Sequence, residues 1–211
     1  MLKEIFEQPA AVTAAQQGRT IPDRGLAKLG GLELVADRLA KVQRVTIVAC
    51  GTAYHAGLVG EYMLEEYAGI PTEVMVASEF RYRKPVLDAG TAVIAISQSG
   101  ETADTIASIQ EAKQKGCLVL GIVNVVGSTI ARMTDAGVYL HVGPEIGVAS
   151  TKAYVGMLTV LSLMTVTLGR QRQMSLVTGQ RIINELKALP AKIEQILTQR
   201  AAIAKLAERY Q

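Results

Sequence analysis

The chain has 211 residues, 49% of them hydrophobic and 19% charged, with a net charge of +3. That length supplies one domain with a sizeable core. The charge is too small and too scattered for a nucleic-acid surface, and Arg81-Tyr82-Arg83-Lys84 is the only basic cluster. Cys50 and Cys117 each sit in or beside an apolar strand pattern, so they read as small buried thiols, and a reducing cytoplasm fits them. Residues 1–13 are amphipathic and carry acids, unlike a signal peptide. The longest apolar run, 153–168, is shorter than the roughly 20 residues a bilayer requires, so it reads as a core helix and no membrane partner is expected.

Residues 2–17 have a helical pattern, with Ile5, Phe6, Pro9 and Val12 on the apolar side, and 18–23 form a turn-rich break. A helix is predicted near 31–41 and a first strand, R-V-T-I-V-A, over 44–49. The stretch 50–57 then turns into a helix that Gly69-Ile70-Pro71 stops, and 72–77 is the second strand. A short helix from Ser78 ends before Pro85. Residues 92–96 are the third strand, 103–115 a helix ended by Gly116, and 118–123 the fourth strand. A short helix over 129–133 precedes the fifth strand, 137–141. A glycine-bearing loop, 142–150, leads into the long apolar helix. Beyond Arg170 two helical stretches, 175–189 and 191–210, are predicted, with a break at Leu189-Pro190. Their apolar stripe, which includes Ile182, Leu186, Ile193 and Ile203, either packs on the domain or connects to another element.

Strands that alternate with helices and are apolar on both faces imply an α/β fold with a parallel sheet covered on both sides. The expectation is a three-layer sandwich around five parallel strands in the order 2-1-3-4-5, plus C-terminal helices. It divides into a helical lead-in over 1–43, a ligand-binding domain over 44–170 and a helical arm over 171–211. In that order the chain reverses direction between strands one and three, and a crevice opens at their C-terminal ends. The loops 51–57 and 97–102 meet there.

The second of these loops, Ser97-Gln98-Ser99-Gly100-Glu101-Thr102, carries three hydroxyls just ahead of a helix. Free N–H groups at a helix start, the helix dipole and hydroxyls together make a phosphate site. Plain capping by Ser99 or Thr102 is the competing reading, although one cap needs one hydroxyl. A dinucleotide site fits poorly, because Gly51-Thr52-Ala53-Tyr54-His55 lacks the G-x-G-x-x-G spacing. His55 and His141 have no second ligand at metal spacing, so no metal is assigned. Glu145 and Lys152 flank a further loop whose hydroxyls either cap a helix or touch a ligand.

Four segments are long and mutually consistent in order: C-G-T-A-Y-H-A-G (50–57), S-E-F-R-Y-R (78–83), S-Q-S-G-E-T-A-D-T (97–105) and E-I-G-V-A-S-T-K-A-Y (145–154). Together with the opening K-E-I-F-E-Q-P (3–9) they resemble the isomerase part of the glutamine–fructose-6-phosphate aminotransferase family. The resemblance implies the sugar-isomerase (SIS) sandwich and a role in glucosamine 6-phosphate synthesis, with no cofactor. It implies that Thr52, Ser97, Gln98, Ser99 and Thr102 hold a sugar phosphate while Val148, Ala149 and Ser150 line the sugar side. One residue departs from the family pattern: Ala53 stands where a serine is usual, which removes one hydroxyl from the site.

The family enzyme also has a glutaminase domain and a second SIS half that carries the glutamate base, the carbonyl-engaging lysine and the ring-opening histidine. The expectation is therefore the first SIS half, binding fructose 6-phosphate or glucosamine 6-phosphate but catalysing little alone. No residue here is assigned as catalytic, and a homodimer in the cytoplasm is the expected state. The alternative is a stand-alone SIS sensor of sugar phosphates.

Overall fold

The computed structural model describes residues 1–210. Five strands form one sheet: β1 (Arg44–Ala49), β2 (Thr72–Val76), β3 (Thr91–Ser97), β4 (Leu118–Val123) and β5 (Ala136–Tyr139). Every pairing is parallel and the order is β2-β1-β3-β4-β5, as expected. β3 is buried along its whole length and lies between β1 and β4. The apolar side chains of β3 alternate between two cores. Ala92, Ile94 and Ile96 join Val45, Ile47 and Leu120 on one face. Val93 and Ala95 join Val48, Phe80 and Val119 on the other. The three-layer arrangement follows from this period-two alternation in strands that are apolar throughout.

The first core is covered by α2 (Gln8–Gln16), α4 (Thr52–Met63) and α8 (Lys152–Arg170). The second is covered by α5 (Ala77–Arg83), α6 (Ala103–Gln114) and α7 (Thr129–Met133). α8 is long and apolar enough to cross a membrane, but 72% of its apolar window is buried inside the fold. It packs against α2, α4 and the last long helix, α9 (Leu176–Leu197), as a core helix.

Several local expectations are corrected. The loop expected over 51–57 is short, because α4 already begins at Thr52. Gly57 is therefore a helix residue, and a Cβ there would stand 3.0 Å from Ile47 Cγ2, so glycine lets α4 sit close on β1. The N-terminal pattern is two helices, α1 (Leu2–Phe6) and α2, in which Phe6 is exposed and Glu4 is buried instead. The stretch near 31–41 is a 3-10 turn, Gly30–Val35, followed by α3 (Ala36–Ala40). Residues 20–21 and 26–27 pair as a short antiparallel ladder in the predicted break. β5 stops at Tyr139, and His141 adopts a φ of 58°, outside strand geometry.

The break expected at Leu189-Pro190 is absent, since α9 runs through Pro190. Proline cannot donate to the carbonyl four residues earlier, here that of Leu186. Gln16 Nε2 donates to that carbonyl at 3.1 Å, so α2 supplies the bond that the proline removes. The helical turn instead changes after Thr198, where α10 (Arg200–Ala207) begins.

Candidate functional site

Parallel strands deliver their following loops to one edge of the sheet. A cleft of about 250 Å³ opens there between β1 and β3. That size lies close to the small end of ligand pockets, roughly 300 Å³. Thr52, Ser97, Gln98, Ser99 and Thr102 all line it, as do Val148 and Ser150 from the loop after β5. Of the expected residues only Ala149 is not on its wall, and it is exposed. Ala53 is on the wall, so a serine at this position would face the cleft.

The loop 97–102 is held by its own bonds. Ser97 is buried; its hydroxyl accepts from the Gly100 N–H at 3.0 Å and pairs with the Thr102 hydroxyl at 3.0 Å. The Ser99 hydroxyl accepts from the Glu101 N–H at 3.2 Å. Gly100 has a φ of 69°, and a Cβ there would lie 2.0 Å from Ser128 Oγ, so this turn demands glycine. No side chain caps α6, although Thr102 stands at its N-cap. The hydroxyls thus shape the loop and leave the helix start open, which disposes of capping as their explanation. α4 is likewise uncapped, its N-cap being Gly51 with a φ of 58°. Two open helix starts border one cleft, which favours a bound anion.

Glu101 does not serve α6. Its carboxylate accepts from the Thr129 N–H at 2.8 Å, at the start of α7. That backbone bond, with the Thr129 side chain, holds the Glu101 carboxyl below the usual carboxylate range.

The opposite wall is built differently. Glu145 folds back on the start of α8: one oxygen accepts from the Ser150 hydroxyl at 2.7 Å, the other from the Thr151 and Ala153 N–H groups at 2.9 and 3.2 Å. This helix start is already occupied by the chain's own carboxylate. Among the described residues on the cleft wall, Glu145 is the one carboxylate, and both its oxygens are engaged. The cleft can hold an anion, and its carboxylate is already spent on the chain's own donors. Cys50, expected to be buried, is half-exposed here because the chain turns at Gly51 immediately after it. The role of Glu145 escaped the sequence reading, although its position five residues ahead of Ser150-Thr151 suits a carboxylate that closes a loop onto a helix start.

Residues 38–167 match the family model described as SIS domain. The chain is 50% identical over 207 residues, 98% of its length, to glutamine–fructose-6-phosphate aminotransferase [isomerizing] of Chlorobaculum tepidum. It is 48% identical, over its whole length, to the protein of the same name from Thermus thermophilus. It spans 34% of the length of each of these curated relatives. Among solved structures it is similar to the C-terminal domain of glucosamine-fructose-6-phosphate aminotransferase from Francisella tularensis, with a TM-score of 0.92 and 35% identity, covering 99% of this chain and 58% of that one. The parallel sheet, its strand order and the match over most of the domain agree: the chain belongs to the SIS domain family.

Proposed function

We propose that this chain is the first SIS half of a glutamine–fructose-6-phosphate aminotransferase and that its cleft holds the phosphate of fructose 6-phosphate or glucosamine 6-phosphate. One observation carries the reading: Thr52, Ser97, Gln98, Ser99 and Thr102 converge on a cleft bordered by two uncapped helix starts. A phosphate ester there receives backbone N–H groups from α4 and α6 and hydroxyls from Thr52 and the 97–102 loop. Val148 and Ser150 then face the sugar carbons.

The division of labour follows from how Glu145 is engaged. Moving a proton between adjacent sugar carbons needs a positioned base, and Glu145 has both oxygens bonded. The cleft anchors the substrate through atoms remote from the reacting carbons, while ammonia release and proton transfer belong to other parts of the enzyme. Apolar residues exposed on α9 and α10, Ile196, Ile203 and Leu206, support packing against a second SIS unit and a homodimer. The free cysteines support a cytoplasmic setting.

Calorimetric titration of the folded chain tests the assignment. Fructose 6-phosphate and inorganic phosphate should both bind, the ester more tightly. The absence of heat with either ligand overturns it.

A further inference from the structure

The loop 143–151 forms the sugar side of the cleft, yet its own apolar residues anchor it poorly. Ile146 and Val148 are exposed, Val148 completely. Its hold on the fold is polar, and much of it comes from the far end of the chain. Glu4, on α1, is 7% exposed, and one of its oxygens accepts from the Ile146 and Gly147 N–H groups at 2.6 and 3.1 Å. Glu7 pairs with the buried Lys152 at the start of α8, 2.5 Å away. Gly147 completes the fit: a Cβ on it would lie 2.6 Å from the other oxygen of Glu4.

Glu145 and Glu4 divide the work on this loop. Glu145 ties its C-terminal end to α8, through Ser150, Thr151 and Ala153. Glu4 ties down its middle, at the two residues that precede Val148. Without Glu4, three consecutive residues, Ile146, Gly147 and Val148, would have neither apolar burial nor a side-chain acceptor for their first two N–H groups.

We infer that Glu4, seated against Gly147 and supported by the Glu7–Lys152 pair, is a positioning residue that sets the sugar-side wall of the cleft, so that the N-terminal helix controls how tightly the sugar, as distinct from its phosphate, is held. This rests on the proposed assignment of Val148 and Ser150 to the sugar side. Glu4 touches no ligand; it acts through the backbone of Ile146 and Gly147. The phosphate loop 97–102 stands on its own hydrogen bonds and is independent of it.

The experiment compares two probes, fructose 6-phosphate and inorganic phosphate, by calorimetry on the full chain and on Glu4→Ala, Glu4→Gln and Gly147→Ala. Thermal unfolding and circular dichroism of each variant confirm that it is folded. Glu4→Ala should weaken fructose 6-phosphate about tenfold, the scale of one lost charge-assisted bond, and leave inorganic phosphate within about twofold. Gly147→Ala displaces the same carboxylate and should give the same pattern without removing Glu4. Glu4→Gln keeps an acceptor oxygen and should recover most of the difference. A folded Glu4→Ala that binds both probes like the parent overturns the inference and leaves the phosphate site intact. Equal weakening of both probes overturns it too, because that marks a general structural role. A parent chain that binds phosphate but prefers the sugar ester not at all removes the sugar-side assignment on which it rests, and a parent that binds neither probe removes the site itself.

Discussion

The two walls of the cleft treat the same physical problem in opposite ways. On the 97–102 side the hydroxyls bond within the loop, and the start of α6 is left without a side-chain cap. On the 143–151 side Glu145 and Glu4 are driven into the backbone, and the N–H groups of Ile146, Gly147, Thr151 and Ala153 all have carboxylate acceptors. Both walls are helix starts or loops with surplus donors. The chain has supplied its own anion to one of them and kept the other open. The proposed ligand site differs from its neighbour in the donors that the fold declines to satisfy.

The largest test of this contrast removes hydroxyls from the open wall. Ser99→Ala combined with Thr102→Ala should weaken inorganic phosphate and fructose 6-phosphate alike, by about 100-fold, with a smaller drop in melting temperature from the loop bonds that go with them. Titration calorimetry and a thermal melt read the two quantities. The mirror-image change on the closed wall should act on stability instead. Glu145→Ala leaves the Ser150, Thr151 and Ala153 donors without their acceptor. The expected loss is about 2 kcal/mol in denaturant unfolding, partly recovered by sulfate, which can occupy the vacated helix start.

How far these differences could be read in advance depends on the range of the interaction. The strands 44–49 and 118–123 match the observed β1 and β4, since an unbroken apolar run between turn residues has few other solutions. The bonding within 97–102 was equally open to reading, because it is local: Ser97 with Gly100 and Thr102, and Ser99 with Glu101. The closed wall was not. Glu4 lies 142 residues from Ile146, and an acid on an amphipathic helix gives no sign that it is buried. Pro190 misled for the same reason: its missing bond is replaced from Gln16, 170 residues away from Leu186. Local chemistry shaped the 97–102 loop; remote carboxylates and amides finish its surroundings.

Two smaller effects refine the comparison. Ala53 faces the open wall without a hydroxyl. Ala53→Ser should tighten phosphate binding about threefold to tenfold, and titration against the parent chain measures it. On the closed wall, the hydrogen bond from Lys152 and its charge hold the Glu7 carboxyl below its ordinary value of 4.5. A carboxylate whose folded pKa is depressed stabilises the fold above its unfolded pKa, and that contribution fades as pH falls through the lowered folded value. Melting temperature should therefore decline on the acid side of 4.5, and Glu7→Gln should show a shallower decline with a slightly lower value at neutral pH. A melt series across pH on both proteins decides this.

Backbone amide resonances compare the two walls in one sample. Titration of the nitrogen-15-labelled chain with inorganic phosphate should move the amides of Thr52 and Ala53 at the start of α4 and of Thr102, Ala103 and Asp104 at the start of α6. Those of Ile146, Gly147, Thr151 and Ala153, already bonded to carboxylates, should stay in place. Movement of the second group with the first group unchanged would contradict the account.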